Sequence, residues 1–84
     1  MTNLETITGK TWKENVNNCD DEGRFSFEVS NLVEVQVNVF DAAIYVSTYK
    51  NEKSFNSSTD AYFTTGEGQE GQEKKLNEIL SKLN

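Results

Sequence analysis

Hydrophobic and polar residues alternate with a period of two in the middle of the chain. The alternating hydrophobic positions are Phe25, Phe27, Val29, Val33, Val35, Val37 and Val39. This pattern is typical of strands with one buried and one solvated face. A third strand is predicted near Ala43 to Tyr49, and the short connections at Asn31 and at Asp41 and Ala42 favour an antiparallel meander.

A helical period replaces the alternation at the end of the chain. Apolar residues recur there at i, i+3, i+4 and i+7, as Leu76, Ile79, Leu80 and Leu83. This stripe predicts a helix over residues 72–83 that covers the valine face of the sheet. Glu70 and Glu73 stand near its start and Lys82 near its end, as the helix dipole favours.

Residues 2–18 predict two short helical segments that Gly9 separates or kinks. The capping-box pattern, in which a hydroxyl residue precedes a glutamate by three positions, occurs twice, as Thr2 with Glu5 and Thr11 with Glu14. An extended segment around Trp12 is the alternative. Residues 50–60 are polar and predict an exposed loop, and residues 61–65 predict a short fourth strand.

These elements predict one α+β domain over residues 1–84. Its architecture is an antiparallel three- to four-stranded meander packed against N-terminal and C-terminal helices in two layers. A chain of 84 residues buries one modest core.

The charge balance limits the classes of partner. Eight basic and 14 acidic residues give a net charge of −6, which disfavours direct binding to nucleic acid or anionic lipid and favours a basic partner. No apolar run is long enough to span a bilayer. The single Cys19 excludes an intrachain disulfide, and the first residues lack the features of a secretion signal, so we expect a cytoplasmic protein.

Sequence motifs for cofactors and metals fail on their context. The GxGxxG run over residues 66–71 has no room after it for a βαβ unit, so we interpret it as a flexible loop entering the last helix. The Gly9-Lys10-Thr11 match to a phosphate-binding loop is accidental. The turn that begins at Asn18 resembles half of a calcium loop, but Val29 occupies the twelfth position, so a solvated acidic turn is the interpretation.

The chain contains no histidine, which removes the usual zinc sites and Ser-His or Cys-His nucleophiles. We therefore expect no enzyme activity, no metal and no cofactor. The acidic residues are the remaining functional signal. They form three groups: Asp20, Asp21 and Glu22 before the first strand; Glu28 and Glu34 on adjacent strands; and Glu67, Glu70 and Glu73 at the entry to the last helix.

Carboxylates on a sheet can imitate a row of phosphates, because outward residues stand about 6.6 to 6.8 Å apart along a strand and about 4.8 Å apart across strands. Tyr45 and Tyr49 are predicted on the same polar face as aromatic anchors, and Leu32 and Phe40 are further candidates for positions on that face. The alternative is that the acidic residues serve solubility and the tyrosines belong to the core.

The opening residues Met1-Thr2-Asn3-Leu4 and Thr8-Gly9-Lys10 resemble the start of the uracil-DNA glycosylase inhibitor. In size, acidity and lack of histidine the chain is similar to the DNA-mimic inhibitors of bacteriophages, which also include anti-restriction and anti-CRISPR proteins and proteins that block histone-like nucleoid proteins. The predicted helix over 72–83 departs from the glycosylase inhibitor, which ends in strands, so its binding residues do not carry over.

The resemblance implies a protein that inhibits a basic DNA-binding protein of the host by occupying its DNA site. The target would be a histone-like nucleoid protein, a repair enzyme or a defence nuclease. The alternative is a small structural or assembly protein that forms a homodimer through the open sheet face or an edge strand.

Overall fold

A computed structural model describes residues 3–49, 57–64 and 68–83. The elements follow the order α1 (Leu4–Thr8), α2 (Trp12–Asn17), β1 (Arg24–Ser30), β2 (Val33–Asn38), β3 (Ala43–Tyr49), β4 (Ser57–Phe63) and α3 (Gly68–Lys82). The four strands form one antiparallel sheet in the order β1-β2-β3-β4. The predicted α+β meander with helices at both ends is confirmed.

The core lies between the helices and one face of the sheet. At its centre, Val35 is aligned with Phe27 on β1 and Val46 on β3, and the next inward valine, Val37, is aligned with Phe25 and Ile44. The helices contribute buried residues to the same core: Leu4, Trp12, Leu76, Ile79 and Leu80. The inward alternation predicted for β1 and β2 is therefore confirmed, and the fold has two layers.

Helix α1 begins later than the first capping-box pattern predicts. Asn3 is its N-cap and accepts a hydrogen bond from the Thr6 backbone N–H at 2.8 Å. Asparagine is a stronger cap than threonine. The predicted cap at Thr2 lies outside the described residues. Gly9 ends the helix with a φ of 73°, which confirms its predicted separating role.

Helix α2 begins with a complete capping box. The Thr11 hydroxyl accepts the Glu14 backbone N–H at 3.2 Å, and the Glu14 carboxylate accepts the Thr11 backbone N–H at 3.0 Å. Trp12 is buried in the first turn, and its indole N–H donates to Gln69 Oε1 at 3.1 Å. Trp12 is thus helical, and the extended alternative is wrong.

Strand β4 starts four residues earlier than the prediction of residues 61–65. Ser57 to Asp60, which we expected in a loop, pair with β3 from Tyr49 to Val46. The Ser47 and Thr59 hydroxyls lie 3.2 Å apart across the two strands, so polar side chains also contribute to this strand pairing. The prediction used apolar residues alone and therefore placed the start of β4 too late. Residues 50–56 and Thr65 lie outside the described residues.

Helix α3 also starts four residues before the predicted Gln72. Gly68 to Gly71 are helical, although we expected them in an entry loop; Gly66 and Glu67 lie outside the described residues. Hydrogen bonds to other elements fix the start of α3. The Gln69 side chain accepts the Trp12 indole N–H, and the buried Gln72 side chain donates to the Val39 carbonyl at 3.3 Å. Packing contacts of this kind outweigh the low helix propensity of glycine.

Candidate partner-binding surface

The helices cover one face of the sheet, and no described element packs on the other, which we call the open face. Because side chains alternate along each strand, the register assigns this face. Its residues are Arg24, Ser26, Glu28, Glu34, Gln36, Asn38, Ala43, Tyr45, Ser47, Tyr49, Thr59, Ala61 and Phe63. The face is mostly polar, with charged residues on β1 and β2 and aromatic ones on β3 and β4.

Glu28 and Glu34 lie directly opposite each other on β1 and β2. Directly opposed residues in an antiparallel pair have Cβ atoms about 4.5–5.5 Å apart, and like charges there destabilise the pair. Their row continues across the sheet with Ser47 and Thr59, which are uncharged. Within residues 3–49, 57–64 and 68–83, both salt bridges are made by Arg24, and neither involves this glutamate pair.

Tyr45 and Tyr49 occupy the open face, as the sequence predicted. Tyr45 is aligned with Gln36 on β2, and its ring meets that of Phe63 edge to face, with centroids 6.4 Å apart. Both tyrosines are half-buried, whereas Phe63 is 63% exposed. Sequence reasoning missed Phe63 because it left the faces of β4 unassigned.

The acidic turn before β1 is held by Arg24. The guanidinium contacts the carboxylate of Asp20 at 3.3 Å and that of Glu22 at 3.0 Å. The Asp20 carboxylate also accepts the backbone N–H groups of Arg24 and Glu22, each at 2.9 Å. These hydrogen bonds, the one from the Arg24 backbone first, hold the pKa of Asp20 below its ordinary value. Arg24 therefore offsets part of the charge of this turn.

The third acidic group does not join the open face. Glu67 lies outside the described residues, and Glu70 and Glu73 belong to α3, in the layer on the opposite side of the sheet. Glu70 lines a cleft of about 610 Å³ between α3 and the end of β4. Glu78, Lys74 and Lys75 line the same cleft, so two acidic and two basic residues balance there.

Leu32 and Phe40 lie in the two turns that connect β1 to β2 and β2 to β3. Leu32 is 37% exposed, and its carbonyl accepts the Tyr49 N–H at 2.8 Å. Phe40 is 71% exposed, and its ring lies against Gly23 in the acidic turn. The contact between Phe40 and the acidic turn was not predicted, because it joins residues that are 17 positions apart.

In the described part of the chain, no group of three or more His, Cys, Asp or Glu residues is arranged to hold a metal ion. Asp20 belongs to the partial calcium-loop pattern that begins at Asn18, and its carboxylate accepts hydrogen bonds from Glu22 and Arg24. Of the helices described, none has the length and apolar character required to cross a membrane.

Comparisons of this chain with protein-family models, with curated protein sequences and with solved structures find no match. The open face and the acidic turn are therefore the features from which we infer a function.

Proposed function

We propose that this protein is a DNA-mimic inhibitor that binds a basic DNA-binding protein of the host and occupies its DNA site. A histone-like nucleoid protein, a repair enzyme and a defence nuclease all present the required basic surface. The observation that carries the proposal is the cross-strand pair of Glu28 and Glu34 on the open face that also presents Tyr45 and Tyr49.

The glutamate pair has an energetic reason to bind a cation. Like charges that face each other across two strands raise the free energy of the isolated sheet by a few tenths of a kcal/mol up to about 1 kcal/mol. A lysine or arginine from a partner would remove this repulsion and add charge-assisted hydrogen bonds. The pair therefore favours a complex with a basic protein over the free state.

The tyrosines provide apolar contact area, which the carboxylates do not. Exposed ion pairs contribute little affinity by themselves, whereas tyrosine side chains bring large contact area at low entropic cost. Tyr45 lies diagonally across from Glu34. On β3, Tyr45 is aligned with Gln36 of β2, and Ser47, two residues further along, is aligned with Glu34. Acidic residues that attract a basic partner and aromatic residues that anchor it thus share one surface.

The imitation of phosphates is confined to one half of the sheet. Glu28 and Glu34 lie at one end of β1 and β2, and the Asp20 to Glu22 turn lies beyond the other end of β1. Glu70 and Glu73 belong to the helical layer and are not part of the proposed surface. We therefore expect few carboxylates to stand in for phosphates, with few counterions released, rather than a long imitation of a duplex.

A capture experiment with the full chain tests the proposal. The immobilised protein is exposed to bacterial lysate at low and at high salt, with and without duplex DNA as competitor. We expect basic DNA-binding proteins to be retained at low salt and released by salt and by DNA. If the immobilised protein retains no lysate protein except further copies of its own chain, the proposal is contradicted.

Matched variants assign the binding to the open face. The double variant Glu28→Gln/Glu34→Gln removes two charges from the open face, and Glu70→Gln/Glu73→Gln removes the same charge from the helical layer. With a captured and purified target, we expect at least a tenfold weaker affinity for the first variant and less than a twofold change for the second. Equal effects would show that net charge, and not this surface, determines binding.

A homodimer is the second candidate, and exposed Phe63 on the edge strand β4 favours it. Sedimentation velocity over a range of protein concentrations distinguishes the two. A dimer that dissociates in Phe63→Ser but not in Glu28→Gln/Glu34→Gln would support assembly, whereas a monomer at all concentrations would exclude it.

A further inference from the structure

Phe40 is the most exposed large apolar residue among the described residues, with 71% of its surface accessible. It contributes little to the core, because so much of its ring remains in water. The buried part of the ring rests on Gly23, where a Cβ atom would come within 2.7–2.9 Å of three ring atoms. The fold thus holds an aromatic ring outward on the backbone of another turn.

Hydrogen bonds join the two turns that place this ring. The Val39 N–H donates to the Gly23 carbonyl at 2.8 Å, and the Gly23 N–H donates to the Asp20 carbonyl at 3.0 Å. On the other side of Phe40, the Asp41 N–H donates to the Asn38 amide oxygen at 3.1 Å. These bonds fix the backbone on both sides of Phe40 before any partner binds, which lowers the entropic cost of binding.

Four acidic residues belong to the two turns that meet at Phe40. Asp20, Asp21 and Glu22 precede Gly23, on which the ring lies, and Asp41 follows Phe40 directly. All four are exposed, and Arg24, the first residue of β1, is the cation that pairs with two of them. An apolar centre with a charged rim is the composition of a binding hot spot, and here the rim carries a net charge of −3.

We infer that Phe40, with its rim of Asp20, Asp21, Glu22 and Asp41, is an anchor that inserts into an apolar pocket ringed by lysine and arginine on a basic protein. The inference rests on the proposed function only in taking a basic protein as the partner. It adds a residue that supplies most of the binding energy and the shape of the site that receives it. Charge complementarity selects this partner, since an acidic or neutral pocket would leave the rim uncompensated.

Photo-crosslinking from position 40 tests the inference. The full chain with p-benzoylphenylalanine in place of Phe40 is irradiated in bacterial lysate at low salt, and the attached residue of the captured protein is identified by mass spectrometry. We expect an attachment point in an apolar pocket flanked by lysine or arginine. The matched control carries the same amino acid at Leu32, an exposed apolar residue of the turn between β1 and β2.

The captured protein is then purified and titrated with the wild type, Phe40→Ala and Leu32→Ala. We expect Phe40→Ala to weaken binding by about 30-fold or more, as hot-spot truncations do, and Leu32→Ala by less than about threefold. Circular dichroism and urea unfolding check that Phe40→Ala remains folded. Binding within threefold of the wild type, an attachment point on a neutral or acidic surface, or no crosslink from position 40 would overturn the inference.

The same titration separates this inference from the proposed function. If Phe40→Ala loses affinity while duplex DNA does not compete, the anchor is supported and occupation of a DNA site is contradicted. If DNA competes and Glu28→Gln/Glu34→Gln loses affinity while Phe40→Ala does not, the proposed function is supported and the anchor is overturned.

Discussion

Gly9 and Gly23 share a left-handed backbone but differ in their surroundings. Their φ angles are 73° and 79°; no atom lies within 4 Å of a Cβ built on Gly9, whereas the Phe40 ring lies within 2.7–2.9 Å of one built on Gly23. Alanine in a left-handed conformation costs about 1–2 kcal/mol. Overpacking adds about 1–3 kcal/mol.

We therefore expect Gly23→Ala to lower the free energy of unfolding by about 2–5 kcal/mol and Gly9→Ala by about 1–2 kcal/mol, measured by urea denaturation. Truncation of the ring should relieve the additional strain, so Gly23→Ala should cost less in a Phe40→Ala background. Equal losses at the two glycines would contradict the contact between Phe40 and Gly23.

Asp20 gives a prediction for pH dependence. Its pKa lies below the ordinary value of 3.8, chiefly because the Arg24 backbone N–H donates to the carboxylate. A lowered pKa stabilises the fold above the ordinary value, and this contribution is lost as the pH falls through the lowered pKa. In Asp20→Asn the amide oxygen can accept the same N–H groups, but the group no longer titrates.

The difference in stability between the wild type and Asp20→Asn should therefore be largest at neutral pH and shrink as the pH falls below 3.8. Urea unfolding of both proteins across this range measures it, and the other carboxyl groups cancel in the comparison. A difference that is independent of pH would mean that the charge of Asp20 does not strengthen the turn.

At the scale of elements, local patterns predicted most of the fold. The alternation in β1 and β2 and the capping box of α2 each involve residues within a few positions of one another, and all three elements form as predicted. The predictions are wrong where contacts with residues distant in sequence determine the start of a strand or a helix. Ser57 to Asp60 become a strand because β3 pairs with them, and the glycine-rich start of α3 is fixed by Trp12.

The capping box of α2 predicts a local loss of stability. Because the Thr11 hydroxyl satisfies the Glu14 backbone N–H, Thr11→Ala should lower the free energy of unfolding by about 1 kcal/mol. Thr11→Ser keeps the hydroxyl, and because serine caps helices at least as well as threonine, this variant should lose no stability. Similar losses in both variants, measured by urea denaturation, would show that the cap does not stabilise the helix.

For the whole molecule, the sequence predicted which strand residues share a face but not how the charges are distributed. Side-chain alternation was sufficient to place Glu28, Glu34, Tyr45 and Tyr49 together. The ion pairs of Arg24 and the contact of Phe40 with Gly23 depend on how the turns meet. Glu70 and Glu73 are separated from the open face because α3 covers the valine side of the sheet.

The layout of acidic residues predicts that stability and binding change in opposite directions. Glu28 and Glu34 repel each other across β1 and β2, so Glu34→Gln should raise the free energy of unfolding by about 0.2–1 kcal/mol at low salt.

High salt should remove this gain, because it screens exposed charges. Glu70→Gln, which removes the same charge from α3, is the control and should not stabilise the fold, since acidic residues in the first turn favour the helix. Under the proposed function, Glu34→Gln should also bind the target more weakly. Urea unfolding at two salt concentrations and a titration with the captured target measure the two effects. A variant that is less stable than the wild type at low salt would show that the pair is not repulsive and would remove the energetic reason for a cationic partner.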